Sequence, residues 1–495
     1  MKGHNKMKKL TAFLLLALLV IVPCFAACND PADDASKNTS EVSEVPGFPL
    51  EKEYFENTTI TILGIASGRH TYGELQFVPN DEQTGNVIND VVAERNNYIE
   101  ETYGIKIELI AENYPNEKID DMLATGLDTY DVIAGDVYNM VPKITSGAFH
   151  KLDDLLLLEN EWWDQSSIEH LSALGDTYVV ASDCLIGDDM YTYLVLFNKD
   201  MYEDEGLTAK YGTMYDMVDN YEWTYDRLYT IAKEVSHPDP DGKWTNVNCT
   251  YGLLGDAYGS TMMVAGGGVT TAVITDDGFD LTAGSQKSID VFQKVQAVMG
   301  DPTACCYVEQ IPESWSGISS IFKNGRGLFY LTVANGIITL RAAATEEEAV
   351  NFGVVPIPMF NEEQGKYYSG INAYQSEVLA IPSTNKENLD ATVYALEALA
   401  YYSHSPSAGK SLREAYYETS LKLQAVDSDD DARMLDIVFE NRLYDLGGIY
   451  NWGGLIGLYS HCLRNNAGLA SYWESIQSAA ESDMEATLDA YADMK

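Results

Sequence analysis

Thr58-Thr-Ile-Thr-Ile-Leu-Gly64 and Tyr130-Asp-Val-Ile-Ala-Gly-Asp136 bracket the stretch that decides the fold. The first is a run of branched residues stopped by glycine, which suits a strand. Between the two, Val87, Ile88, Val91, Val92, Tyr98 and Ile99 recur at helical spacing up to Gly104, a C-terminal stop. Ile105 to Ile110 is strand-like, residues 119–127 are helical, and Tyr130 to Ala134 is strand-like again. This is β-α-β-α-β order, the signature of a parallel sheet with right-handed crossovers. Ligands of such sheets bind beyond the carboxyl ends of the strands. That rule nominates two loops, Ser67-Gly68-Arg69 and Gly135-Asp136-Val137-Tyr138.

Further along, Tyr193 to Phe197 reads as a strand and Asn198-Lys199-Asp200 as the start of a helix. Thr224 to Val235 is predicted helical, and Gly327 to Val333 and Phe352 to Ile357 are strand-like. Thr384-x-x-Glu387 has capping-box spacing ahead of a helix through Tyr402, and the tail from Ser471 is an amphipathic helix. The alternation of strands and helices gives an α/β class. The roughly 440 residues after the N-terminal linker exceed one ordinary core and predict two lobes.

The N-terminus sets the compartment. Lys2, Lys6, Lys8 and Lys9 precede an apolar run from Leu10 to Val22, followed by Phe25-Ala26-Ala27-Cys28. Such a run is too short to span a hydrocarbon layer of roughly 30 Å, and the charged-apolar-small order is that of an export signal. The small-small-Cys ending resembles the lipobox of bacterial lipoproteins, which implies a signal peptide over 1–27 and lipidation of Cys28. Plain secretion with cleavage after Ala27 is the alternative, and either places the protein outside the cytoplasm. Residues 28–54, poor in aromatic and branched apolar residues up to Pro49, are expected to form a disordered tether. After residue 27 the chain carries 27 basic and 76 acidic residues, a formal charge of −49. That charge repels nucleic acid and anionic lipid heads. Cys184, Cys249, Cys305, Cys306 and Cys462 show no C-x-x-C spacing and read as buried thiols.

A set of ordered landmarks resembles the extracellular solute-binding proteins of sugar importers, similar in plan to maltose-binding protein. They are Tyr130–Asp136 with Ile144-Thr-Ser-Gly-Ala-Phe-His-Lys-Leu-Asp-Asp154, then Phe197-Asn-Lys-Asp-Met-Tyr-Glu-Asp-Glu-Gly-Leu207 and Trp223-Thr-Tyr-Asp-Arg-Leu228. Lys323–Phe329, Gly353-Val-Val-Pro-Ile-Pro358 and Ile381–Glu387 follow in order. The resemblance implies a two-lobed periplasmic-binding-protein-like fold of type II, with the ligand cleft between the lobes. It assigns 55–192 and 328–380 to the first lobe, 193–327 and 381–495 to the second. It implies an extracytoplasmic, lipid-anchored monomer that binds a carbohydrate, delivers it to ABC transporter permease subunits, and performs no catalysis. No cofactor and no metal are expected.

A sugar cleft needs polar side chains for hydroxyl edges and aromatic rings for C–H faces. By the resemblance Asp136 is the leading solute contact, with a helix N-cap as its alternative or additional role. Tyr138 and Arg69 follow it, against a solvent-facing ring and a surface ion pair. Asp188, Asp189 and Tyr191 precede the first crossing, where one of the three is expected to touch solute. Tyr258, ahead of Gly266-Gly267-Gly268, resembles a stacking position. Trp315, Trp452, Tyr374 and Gln375 complete the candidates, with core packing as the alternative for each tryptophan.

Other chemistries find little support. Ser405-Pro-Ser-Ala-Gly-Lys-Ser411 mimics the end of a P-loop, but His404 stands where the first glycine is required. Asp427-Ser-Asp-Asp-Asp431 resembles a calcium loop but has Ala432 for the turn glycine and Val438 for the closing glutamate. Neither H-E-x-x-H nor G-x-S-x-G occurs. The alternatives left open are a secreted carbohydrate-active enzyme and the same fold binding a peptide or small acid.

Overall fold

A computed structural model describes residues 47–494 apart from 84, 277, 343–349 and 418–428. The export signal, the lipobox with Cys28, and Asp427 and Ser428 lie outside the described residues. Nine strands build two sheets: β1 (Thr58–Ile65), β2 (Ile105–Glu112), β3 (Val132–Asp136), β4 (Tyr193–Asn198), β5 (Tyr251–Gly255), β6 (Cys305–Tyr307), β7 (Gly327–Val333), β8 (Phe352–Val355) and β9 (Glu377–Ala380). The first sheet has the order β9-β3-β1-β2 and the second β8-β4-β7-β5-β6.

In the first sheet β1 runs parallel to β2 from Thr58↔Ile105 to Ile65↔Glu112, and parallel to β3 at Ile62↔Val132. The helix α1 (Val87–Tyr103) crosses between β1 and β2 and buries Ile88, Val92 and Ile99. Asn86 caps its start by accepting from the Ile88 and Asn89 amides, and Gly104 ends it at φ 67°. A side chain there would be strained, and a Cβ would come within 2.8 Å of the Tyr54 ring. The helix α2 (Asn116–Thr125) leads on to β3. The predicted β-α-β-α-β order is therefore present, and β9 closes it antiparallel at Glu377↔Asp136.

The second sheet mixes directions. β5 is parallel to β6 and β7, whereas β4 is antiparallel to β7 and β8. Trp223, fully buried, donates from Nε1 to the Pro356 carbonyl at 2.9 Å and packs on Phe329.

Strand pairing divides the segment 328–380, which the resemblance placed whole in the first lobe. β7 and β8 lie in the second sheet and only β9 returns to the first. The C-terminal segment divides likewise. The helix Leu389–His404 packs on α1 and β1, while Asp429–Glu440 packs on β8. The capping box expected at Thr384 does not form: Asn388 is the N-cap, the Glu387 amide donates to Asp128, and the Thr384 hydroxyl is buried without a partner. Of the residues expected to form a disordered tether, Phe48 is instead seated among Tyr103, Tyr394, Tyr401 and Tyr402 with ring centroids 5.3–5.6 Å apart. All five cysteines after Cys28 are free and buried, and burial raises the Cys184, Cys306 and Cys462 thiols to about 11.

His404 closes the helix Leu389–His404, where a cation suits the helix dipole. Its Nδ1 lies 2.5 Å from Asp183 and its Nε2 3.1 Å from Glu161. The hydrogen bond to Asp183 raises its pKa above 6.5, against partial burial. A histidine raised on folding stabilises fully below its unfolded value and loses that contribution as pH rises through its folded one. Melting temperatures of the wild type and His404→Gln should therefore lie apart at about pH 6 and converge as pH rises past the ordinary histidine range. A constant gap would remove the ion pair from the stability of this helix end.

Candidate functional site

β3 ends in Gly135-Asp136, and the chain turns directly into α3 (Val137–Met140). The Asp136 carboxylate is buried and spent twice. Oδ1 accepts from the Asn139 amide at 3.1 Å as the N-cap, and Oδ2 accepts from Arg69 Nη2 at 3.0 Å. Arg69, on the loop after β1, also donates to the Asn113 carbonyl at 2.8 Å and the Tyr374 carbonyl at 2.9 Å, with its guanidinium 4.4 Å from the Tyr114 ring. Asp136 thus fills its expected role of helix N-cap, and Arg69 is its ion-pair partner, largely shielded from solvent.

The second sheet repeats this construction. β5 ends in Gly255-Asp256 and is followed by α4 (Gly259–Gly266). Asp256 Oδ1 accepts from the Gly259 amide at 2.9 Å, and Oδ2 accepts from the Tyr193 hydroxyl at 3.3 Å. Burial raises its pKa to about 7, opposed by the Gly259 amide and assisted by the negative charge of Glu309. Each acid is followed two residues later by a tyrosine, Tyr138 and Tyr258. Tyr374, on the segment that returns the chain from the second sheet to β9, places its ring 4.7 Å from Tyr138 and 5.6 Å from Tyr258. Tyr193 meets Tyr258 edge-on at 6.4 Å. The result is a row of rings flanked by one buried acid from each sheet.

Asp256 and Tyr193 escaped the sequence reading. The signal for Asp256 was available, since Gly-Asp-x-Tyr occurs at 135–138, 175–178 and 255–258. Only the first and last follow a strand of a sheet. The middle copy sits in a tight turn where Asp176 pairs with Lys151.

The remaining candidates fall elsewhere. Asp188 and Asp189 are buried and ion-paired to Arg442, at 2.7 and 3.2 Å, and so are not the solvated loop charges of the alternative reading. Tyr191 is buried with its ring 4.8 Å from His70, whose Nδ1 lies 2.6 Å from Glu377. Gln375 accepts from the Asn372 side chain at 3.0 Å. Trp452 belongs to the core: it is 2% exposed, stacks on Tyr450, packs on Phe279 and donates to Thr487 at 2.8 Å. Trp315 is 52% exposed on the helix Ser314–Lys323, and among the described residues no ring contact ties it to the tyrosine row. Sequence could not separate these cases, because a tryptophan among small residues looks the same whether its neighbours open it or cover it.

The arrangement offers hydrogen-bond acceptors and flat apolar faces, which suits recognition of a hydroxyl-rich solute. The sequence family described as "Bacterial extracellular solute-binding protein" matches over residues 80–403. No curated protein matches by sequence. Among solved structures, a cyclo/maltodextrin-binding protein complexed with maltotetraose aligns with a TM-score of 0.57 at 13% identity, covering 86% of this chain and 97% of that one. A sugar transporter from Rhizobium etli in an open conformation aligns at 0.57 and 12% identity, covering 86% and 99%. An ABC substrate-binding protein from Listeria monocytogenes in complex with cycloalternan aligns at 0.53 and 11% identity, covering 87% and 99%. The two sheets are thus the two lobes of a type II periplasmic-binding fold.

Proposed function

Since the chain belongs to the bacterial extracellular solute-binding proteins, we propose that it binds a carbohydrate, an oligosaccharide, between its lobes and delivers it to the permease of an ABC importer. The observation that carries this reading is the row Tyr138, Tyr374 and Tyr258 with Asp136 at one end and Asp256 at the other. Tyrosine faces stack on the C–H patches of sugar rings, and ionised carboxylates accept from their hydroxyls. The similarity in fold to proteins seen with maltotetraose and cycloalternan agrees with that chemistry. Export and lipidation at Cys28 would hold the protein at the outer face of the membrane, beside its permease.

The role is binding without covalent chemistry. Asp136, Tyr138, Tyr258 and Tyr374 are the proposed contacts, with Asp256 added from the structure. Arg69 acts by orienting Asp136, and Tyr191 by supporting the segment behind the site.

The test is a thermal-shift screen of the purified protein against linear and cyclic maltodextrins and other oligosaccharides, with peptides and small acids as controls. A ligand at 100 times its dissociation constant should add about 2.7 kcal/mol of stability. Stabilisation by a sugar that is recovered intact supports the proposal. Turnover of that sugar, or stabilisation by a peptide or acid alone, overturns it.

A further inference from the structure

Two passages of the chain between the two sheets and the segment after the helix Asp429–Glu440 meet around one buried guanidinium. The first passage is Tyr191-Thr192, between the short helix Gly187–Met190 and β4. The second is the run from Ser369 through Ile371 to β9. It lies beside the first, with Thr192 bridged to Ile371 and the Asn372 amide donating to the Tyr191 carbonyl at 2.8 Å. The segment after the helix Asp429–Glu440 lies against the second passage, where its Arg442-Leu443 pairs in parallel with Ser369-Gly370. Arg442 therefore has its backbone hydrogen-bonded to the second passage.

Its side chain reaches the first. Nη1 lies 2.7 Å from Asp188, Nη2 lies 3.2 Å from Asp189 and 3.2 Å from Asp164, and Nε donates to the Phe439 carbonyl at 3.0 Å. Asp164 is the N-cap of the helix Gln165–Leu171, where its Oδ1 accepts from the Ser167 amide. All four side chains are 10% exposed or less. Burial raises Asp188 and Asp189 above the ordinary carboxylate range while Arg442 opposes it, and the three carboxylates hold Arg442 charged despite burial. Arg413 adds positive charge beside Asp189.

We propose that Arg442, with Asp164, Asp188 and Asp189, is an ionic pivot that sets the resting angle between the lobes and through it the affinity for solute. The second clause rests on the binding function proposed above. Charges removed from water attract strongly at contact and are costly when pulled apart. A rotation of one lobe about these passages must either carry the cluster as a unit or lengthen its ion pairs. The cluster is intact in the arrangement in which Tyr374 touches the turns of both lobes, so it favours that arrangement over a wider one. A protein whose binding-competent state is only partly populated binds more weakly by that fraction.

The experiment compares Asp189→Asn and Arg442→Lys with the wild type and with Glu485→Gln, an exposed control for net charge. Circular dichroism checks folding, small-angle X-ray scattering of the unliganded protein reads the lobe angle, and titration calorimetry reads affinity for the sugar found in the screen. The expected result is a larger radius of gyration without solute and a dissociation constant raised about tenfold in both pivot variants, with no change in the control. Folded pivot variants with wild-type scattering overturn the pivot. Scattering needs no solute, so this outcome is decisive whether or not the solute is a sugar. Altered scattering with unchanged affinity overturns the link to binding.

Discussion

Replacing Arg442 by methionine is expected to lower the free energy of unfolding by about 3–5 kcal/mol. The substitution keeps much of the side-chain volume and removes the charge that Asp164, Asp188 and Asp189 share. Three carboxylates would then lie buried within reach of one another, with the charge of Arg413 still acting on Asp189. They must either stay ionised without a partner or take up protons, and both are unfavourable at neutral pH. Urea denaturation checks the value as a lower midpoint at an unchanged slope. Adding Asp188→Asn and Asp189→Asn to Arg442→Met should return part of the loss, since the excess negative charge leaves with the carboxylates. A loss below about 1 kcal/mol would assign these groups the small energy of solvent-screened surface pairs.

Asp256→Ala is expected to weaken binding of the solute about tenfold to a hundredfold, the range for a hydrogen bond to a charged group. The wild-type affinity should also rise with pH through about 7, because the Asp256 carboxyl is raised there and only its ionised form offers all its acceptor sites. For stability the sign is opposite. An acid raised on folding binds more protons in the native state between its unfolded 3.8 and folded 7, so its ionisation destabilises the fold as pH climbs through that window. Calorimetric titrations across this range check the first statement, and Asp256→Asn should flatten the profile while keeping the shape of the site. A pH profile unchanged by Asp256→Asn would remove this acid from the contacts.

Much of the architecture was legible because its cues are local. The branched run from Thr58, the helical spacing from Val87 and the stop at Gly104 act within a few residues, and each element appears where those cues place it. Asp136 was legible for the same reason, since a strand end followed by a helix start is a short-range pattern. Legibility ended where pairing is long-range. β7 and β8 look like any buried strands, and nothing in Gly327 to Val333 says that its neighbours are β4 and β5.

The site divides along the same line. Asp188-Asp189 in isolation is a pair of loop charges, and only the arrival of Arg442, 254 residues away from Asp188, turns it into a buried ion cluster. Tyr374 joins the tyrosine row because the second passage between the sheets runs past the Gly-Asp-x-Tyr turns at 135–138 and 255–258. The sequence by itself determined the acidic balance, the α/β alternation and the parallel core of the first sheet, all of which follow from composition and short-range stereochemistry. Tertiary structure alone decided which strands complete each sheet and which acids are locked into a buried ion cluster. Those outcomes depend on contacts between residues hundreds of positions apart, whose partners no local pattern names.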